Sequence, residues 1–350
     1  MKVAAVMKIG NLKDPDALKR GKVELIQMDE QEVGDEDVKI RVAYCAICGS
    51  DPHVAEGAFG TQVPQTLGHE VSGVIEALGK KATIKGLKVG DRVAGNFLRF
   101  CGTCRDCQNG RPQFCKHAGK RKSPGMAETM VWHESQVYKL PDSVSLREGC
   151  MLEPVSIAVR AADKLGIKVG ESVAISGGGP IGQLVLQVLH MQGATDLTLI
   201  EPIASRRALG QSLGAVHVID PLTQNVQEEA LRITDGRGFD AVADFSGVPS
   251  AAEALPAIVA HGGTLLYGAM YPLGYTLPLD LFTYCYQNEL TITGIYLSPY
   301  TFPRAVQLLQ RMNLAPFIET SFSLDNVVDA FATHLTGEHP KVLIRCNDLD

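Results

Sequence analysis

The chain has 350 residues, which at roughly 150 residues per domain suggests two compact domains and excludes a peptide or a disulfide-stapled miniprotein. Hydrophobic residues make up 45% and charged residues 21%, the balance of an ordinary globular protein, with no polar tract long enough to force disorder. The formal net charge of -6 argues against a nucleic-acid surface, and no apolar run reaches the roughly 18–20 residues of a membrane span.

In chain order, Met1 leads into Lys2-Val3-Ala4-Ala5-Val6, too short for a secretory apolar segment, so a cytoplasmic protein is expected. Residues 1 to about 150 are expected to be all-β: Val38-Lys39-Ile40-Arg41-Val42-Ala43 alternates at period two, and further runs at 71–78, 91–94 and 126–140 are broken by Gly and Pro. After Glu153 strands and helices alternate. Strands at 172–176, 197–201, 216–219, 241–245, 263–267 and 290–294 are interleaved with helices over 180–192 and from about 204, 223 and 250. Six short apolar strands with helical crossovers predict a parallel, doubly wound sheet. Helices over 303–312 and 324–333 precede a last apolar strand at 341–345, which has no place among the six and is expected to return to the β-rich region. No internal repeat or low-complexity segment is visible.

Gly177-Gly178-Gly179-Pro180-Ile181-Gly182 follows a predicted strand and opens a predicted helix, meeting G-x-G-x-x-G through Gly177, Gly179 and Gly182. The first glycine permits the tight turn, the second admits a pyrophosphate to the backbone, and the third lets helix and sheet approach. The helix N-terminus then faces the anion. A bland glycine turn would also fit. Glu201, nineteen residues beyond Gly182 at the end of the next strand, strengthens the dinucleotide reading because its carboxylate suits ribose hydroxyls. A 2′-phosphate would meet a like charge there, so NAD is expected over NADP. Arg206 and Arg207 follow it, as solvated charges or with one of them on the adenosine.

Cys101-Gly-Thr-Cys104-Arg-Asp-Cys107, followed after seven intervening residues by Cys115, puts four thiolates on one Gly-containing loop, enough to close a tetrahedral structural zinc site. Nine cysteines, an odd number with four so clustered, fit a reducing compartment better than a disulfide framework. A nucleic-acid zinc ribbon would need two separated C-x-x-C knuckles and a basic face, and neither is evident.

A second set is dispersed. Cys48-Gly49-Ser50-Asp51 follows a strand, Gly68-His69-Glu70 lies twenty-one residues after Cys48, and Glu153-Pro154 precedes the α/β region. Each alone is unremarkable: a lone His is usually packed or exposed, and Glu-Pro often starts a helix. Together they supply one sulfur, one nitrogen and one or two oxygens, an assortment suited to catalytic zinc with an open position.

With these five ordered signatures the chain resembles, over nearly its whole length, the zinc-dependent medium-chain dehydrogenase/reductase superfamily. Within it the likeness is to the polyol branch of sorbitol, galactitol-phosphate, threonine and butanediol dehydrogenases. The resemblance implies an α/β protein in which a GroES-like β-rich catalytic domain (1–153 and 297–350) accompanies a Rossmann dinucleotide-binding domain (154–296), with the active site in the cleft. It implies a catalytic and a structural zinc, NAD, and reversible oxidation of a secondary alcohol to a ketone by hydride transfer to the nicotinamide. Cys48 and His69 match zinc ligands. Glu70 and Glu153 match carboxylates that ligate the metal or hold its water, and which one ligates is left open. Ser50 matches a hydroxyl that bonds the alcohol oxygen, and His53 a histidine that passes the proton toward solvent, a role that an exposed bystander would not fill. Ser246, Gly247 and Val248 match a segment over the adenosine. Gly268, Ala269, Met270, Ile295 and Tyr296 match segments near the nicotinamide, although a structural role fits each equally. Cys45, Cys150, Cys285 and Cys346 match no ligand and are read as structural thiols.

The chain also departs from the family. The stretch 294–300 lacks the Arg of the Arg-Tyr pair usual in sorbitol dehydrogenases, Val54 stands where they carry an aromatic, and Ser123-Pro124-Gly125-Met126 replaces their Asp-Gly-Gly-Phe. These changes argue against sorbitol itself. Lys120, Arg121 and Lys122 form either a solvated turn or an anchor for a substrate phosphate or carboxylate. A polyol, sugar alcohol or sugar derivative is expected as substrate; the alternatives are threonine- or butanediol-type activity and an inactive zinc-loaded binding protein. A homodimer or homotetramer is expected by analogy, with neither nucleic acid nor membrane as partner.

Overall fold

The structure, a computed structural model, describes residues 1–118 and 124–349. It divides into two compact units, one of residues 1–153 and 302–350, the other of 154–301.

The first unit is built from strands β1 (Lys2–Lys8), β2 (Lys22–Gln27), β3 (Asp37–Ala46), β4 (Gln65–Thr66), β5 (Glu70–Leu78), β6 (Arg92–Gly95), β7 (Thr129–His133) and β8 (Val137–Lys139). β2, β1 and β4 form a small antiparallel sheet, and β3 pairs with both β5 and β7 in the larger one. Their alternating apolar residues, including Val38, Ile40 and Val42 of β3, Ile75 and Trp132, fill one core. The run expected over 126–140 is interrupted at Glu134–Gln136, where a tight turn capped by the His133 side chain separates β7 from β8. The unit is not all-β either, since short helices occupy Ser50–Ala55, Arg105–Gln108 and Leu146–Gly149.

The second unit is a parallel sheet of β9 (Val173–Ser176), β10 (Leu197–Ile200), β11 (His217–Ile219), β12 (Phe239–Asp244), β13 (Val259–Tyr267) and β14 (Thr291–Gly294). Their order is β11-β10-β9-β12-β13-β14, so the chain starts in the middle and winds outward in both directions. In such a sheet ligands bind at the carboxyl ends of the strands where the order reverses. β9 and β10 are buried at every residue, as expected for strands covered on both faces. The crossover helix Pro180–Gln192 falls where the pattern places it, whereas the helix expected from 223 begins at Val226. Asn225 accepts hydrogen bonds from Gln227 N and Glu228 N and so fixes that start. An unanticipated helix, Leu152–Leu165, opens with Glu153 and Pro154 in its first turn.

Residues 297–301 fall in the second unit, where the Ser298 hydroxyl bonds that of Ser156 at 2.7 Å. The tail then adds β15 (Ser321–Ser323) and β16 (Leu343–Arg345) to the large sheet of the first unit, β16 lying antiparallel to β3. The last strand thus returns to the β-rich region. Among the described residues no helix is long and apolar enough to cross a membrane.

Candidate active site

Strand pairing assembles the dispersed set. Ala46 of β3 lies opposite Glu70 of β5 on one side and Leu343 of β16 on the other, so Cys48, Glu70 and Lys341 converge at one end of the sheet. Gly68 is required just before them: its φ is 91°, and a Cβ there would stand 2.4 Å from Met126 N and 2.6 Å from Cys45 Sγ. One donor atom from each of Cys48, His69 and Glu70 lies within 4.8 Å of the others. Asp51 steadies the set. Its Oδ2 accepts from Cys48 N at 2.9 Å and its Oδ1 stands 3.8 Å from His69 Nδ1, while the Phe97 ring packs 5.0 Å from the imidazole.

The electrostatics call for a cation. Glu70 Oε1 accepts from Lys341 Nζ at 2.6 Å, but Glu70 Oε2 is buried with no hydrogen-bond partner among the described residues. Burial, reinforced by the charge of Glu70, holds the Cys48 thiol well above its usual range, and burial also raises the Glu70 carboxyl against the downward pull of Lys341. A thiolate at such a position forms only opposite positive charge. Sulfur, imidazole and an orphaned carboxylate oxygen are the donors of a catalytic zinc with an open position, and these residues fit it.

Glu153 lies outside that three-residue group, buried at the start of its helix, with its charge acting on Cys48 and Lys341. Ser50 and His53 share the helix Ser50–Ala55, and the exposed His53 has Nδ1 3.2 Å from Glu56 Oε2.

The clustered set closes on itself. Sulfur separations of 3.4 Å (Cys101–Cys115), 3.8 Å (Cys104–Cys115) and 3.9 Å (Cys101–Cys107) straddle the edge of about 3.8 Å of a tetrahedron with Zn–S near 2.3 Å. The backbone N–H and hydroxyl of Thr103 and the N–H of Cys104 favour the Cys101 thiolate and bring it down to about 5, while burial pushes Cys107 up to about 12. Of the thiols read as structural, Cys45, Cys150 and Cys346 are buried. Cys285 is not a packed thiol, being exposed in the turn Phe282–Gln287, where it has no core to fill. Lys120, Arg121 and Lys122 lie outside the described residues.

In the second unit Gly177 has φ 94°, and a Cβ there would lie 2.6 Å from Ser246 N; one on Gly182 would lie 2.0 Å from Gly177 O. Gly179, by contrast, has nothing within 4 Å of its Cβ position, and it caps the Pro180–Gln192 helix with no side-chain bond. The first N–H groups of the helix therefore face an open cradle, which fits a pyrophosphate. Pro180 and Ile181 form the first turn. Glu201, 3% exposed, accepts from Gly178 N at 2.6 Å and from Ile203 N at 2.9 Å, and the carbonyl of Arg206 accepts from Gln183 Nε2 at 2.8 Å.

Asp244, at the end of β12, draws the other loops together. Its carboxylate accepts from the backbone N–H and hydroxyl of Ser246, from Gly247 N and from the Tyr271 hydroxyl, while its carbonyl accepts from Gly268 N. Gly247 passes so close to Met270 that a Cβ would lie 2.6 Å from its carbonyl oxygen, and one on Gly268 would lie 3.2 Å from Ile295 Cγ2. Val248, Met270 and Tyr296 are exposed around these turns.

Four contributors were not identified in the sequence. Asp51 stands within the quoted Cys48–Asp51 motif, and Asp244 is a lone carboxylate closing an apolar strand, so both carried a signal. Tyr271 and Lys341 carried none, because their partners are set by tertiary pairing.

Comparison with known proteins follows the same division. Residues 34–142 match the alcohol dehydrogenase GroES-like domain, and residues 180–311 match the zinc-binding dehydrogenase domain. A 2-dehydro-3-deoxy-L-galactonate 5-dehydrogenase of Pseudoalteromonas atlantica is 32% identical, the alignment covering 89% of this chain and 92% of that one. A D-arabitol-phosphate dehydrogenase of Enterococcus avium is 32% identical over 92% and 93% of the two chains. A zinc-binding dehydrogenase structure from Sinorhizobium meliloti, bound to NADP, superposes with a TM-score of 0.88 at 28% identity and covers 99% of each chain.

Proposed function

The chain belongs to the zinc-binding alcohol dehydrogenase family with a GroES-like domain, and from that premise we propose that it oxidises a secondary hydroxyl of a polyol or sugar derivative, reversibly, with NAD as hydride acceptor. The observation that carries the reading is the convergence of Cys48, His69 and Glu70, with a buried carboxylate oxygen left for a metal, in a chain that also presents the Gly177–Gly182 cradle. These two relatives act, by their names, on a sugar-derived acid and a polyol phosphate, which supports that substrate class, while relatives named L-threonine 3-dehydrogenase keep the amino-alcohol alternative in the test.

When bound, zinc supplies the Lewis acidity that lowers the pKa of the substrate hydroxyl, and the nicotinamide supplies the hydride acceptor. Cys48, His69 and Glu70 hold the metal, Asp51 orients the first two, and Glu153 adds a buried carboxylate for the water. Ser50 accepts the hydroxyl proton as it gives up its own toward His53, which passes a proton to solvent, with Glu56 steadying the imidazole. Cys101, Cys104, Cys107 and Cys115 hold the structural zinc, a role that suits a reducing, cytoplasmic setting. Gly177 to Gly182 receive the pyrophosphate, while Glu201, with Arg206 nearby, binds the adenosine ribose. The loops joined by Asp244 border the rest of the dinucleotide.

NAD preference is supported by the buried, doubly anchored Glu201 carboxylate, which would repel a 2′-phosphate. A homo-oligomer is supported by β14, an edge strand preceded by the exposed Phe282 and Tyr286. The test is a panel of polyols, sugar acids, diols and amino alcohols, followed by NADH formation with zinc content measured in parallel. Turnover of a polyol or sugar derivative is expected; turnover of threonine or butanediol alone would replace the substrate class, and turnover of none would leave a binding protein.

A further inference from the structure

Beside the ribose-binding end of the dinucleotide cradle lies an arginine that the proposed function does not use. Arg207, in the first turn of the helix Ala204–Ser212, folds back on the chain it has just left: Nη1 donates to Glu201 O at 2.7 Å and to Pro202 O at 2.8 Å. Its Nη2 lies 3.1 Å from Asp220 Oδ2, and the two side chains are only 18% and 19% exposed. Asp220 is itself fixed, its Oδ1 accepting from Leu222 N at 3.0 Å and its own N–H donating to Gln224 Oε1 at 2.8 Å. Glu201 N bonds Ile219 O at 3.0 Å, so the end of β10 and the turn after β11 are joined through both backbone and side chain.

We propose that Asp220 sets the dinucleotide preference by locking Arg207 onto the carbonyls of Glu201 and Pro202. Arg207 then acts as a positioning residue for the Glu201 carboxylate and is withheld from a 2′-phosphate. This rests on reading Gly177 to Glu201 as the adenosine side of an NAD-preferring site. Two neutral carbonyls alone would not hold a guanidinium against a phosphate dianion, which offers bidentate, charge-assisted bonds. A partly desolvated carboxylate does, because it competes in kind and leaves no net positive charge beside the ribose. The discrimination against NADP therefore has a repulsive part, Glu201, and a withheld attractive part, Arg207.

The experiment measures dissociation constants of NADH and NADPH by nicotinamide fluorescence on the zinc-loaded protein, independently of turnover. The wild type is expected to favour NADH by about tenfold or more, and Asp220→Asn, which keeps the Leu222 bond, to tighten NADPH by about fivefold with less than about twofold change for NADH. Asp220→Ser is run beside it as a second release of Arg207. Arg207→Met alone should weaken NADH by about threefold, and Asp220→Asn with Arg207→Met should abolish the gain for NADPH. An unchanged NADPH constant in both folded Asp220 variants, or a gain that survives loss of Arg207, overturns the latch while leaving the NAD reading in place. Equal binding of the two dinucleotides by the wild type overturns the NAD preference and the latch with it, and binding of neither overturns the dinucleotide site.

Discussion

Lys341 Nζ donates to Glu70 Oε1 at 2.6 Å across 271 residues of sequence, with the side chains 3% and 1% exposed. Burial disfavours the ammonium, but the Glu70 carboxylate outweighs it and Lys341 stays above its usual range. A pair this deep is costly to form and more costly to halve.

In protein stripped of metal, Lys341→Met is therefore expected to lower the stability of the first unit by about 3–5 kcal/mol, because Glu70 is then left as an uncompensated buried charge. Trp132, the single tryptophan, is buried in β7 of that unit and reports its urea unfolding directly. A loss under about 1 kcal/mol would mean that another cation already neutralises Glu70.

The two metal clusters are expected to fail differently. Cys48→Ser should abolish turnover and remove one zinc while leaving thermal unfolding little changed. Cys104→Ser opens a closed four-sulfur shell and should lower the melting temperature or disrupt assembly. The opposite pattern in melting and metal analysis would exchange the two roles.

His53→Ala should slow alcohol oxidation near neutral pH and recover in part at high pH or with added imidazole, since an exposed proton carrier is replaceable by solution base. A rate–pH profile identical to wild type removes His53 from the relay.

Acid sensitivity has an identifiable source in His334. Burial, with Lys341 adding, lowers its pKa to about 4 from 6.5, against the opposing charge of Asp51 and with Lys13 on the same side as Lys341. Between those values the unfolded chain binds the proton and the folded one does not, so stability falls as pH drops from about 6.5 to about 4. The loss amounts to about 2–3 kcal/mol, given that the ring is only partly enclosed. His334→Gln should flatten that slope in Trp132-monitored unfolding, and an unchanged slope would place the acid sensitivity elsewhere.

The parallel sheet was legible because its strands are covered on both faces and read as unbroken apolar runs, as at Val173–Ser176. The stretch 126–140 misled for the converse reason. Glu134 is turned inward at 1% exposure, where its Oε2 accepts from Ile84 N, and periodicity cannot announce a buried carboxylate or the turn it enforces. The grouping of Cys101, Cys104, Cys107 and Cys115, and that of Cys48, His69 and Glu70, was legible by residue type and spacing. Lys341 was not, because its position beside Glu70 follows only from β16 pairing with β3.

The first unit is stitched from both ends of the chain, and that has a consequence during synthesis. The contiguous second unit has all its strands once residue 301 has left the ribosome, whereas β3 still awaits β16 and Glu70 still awaits Lys341. The nascent chain thus completes the strands that carry the Gly177–Gly182 turn before Lys341 can reach Glu70, and the convergence of Cys48, Glu70 and Lys341 waits for the segment that supplies β16.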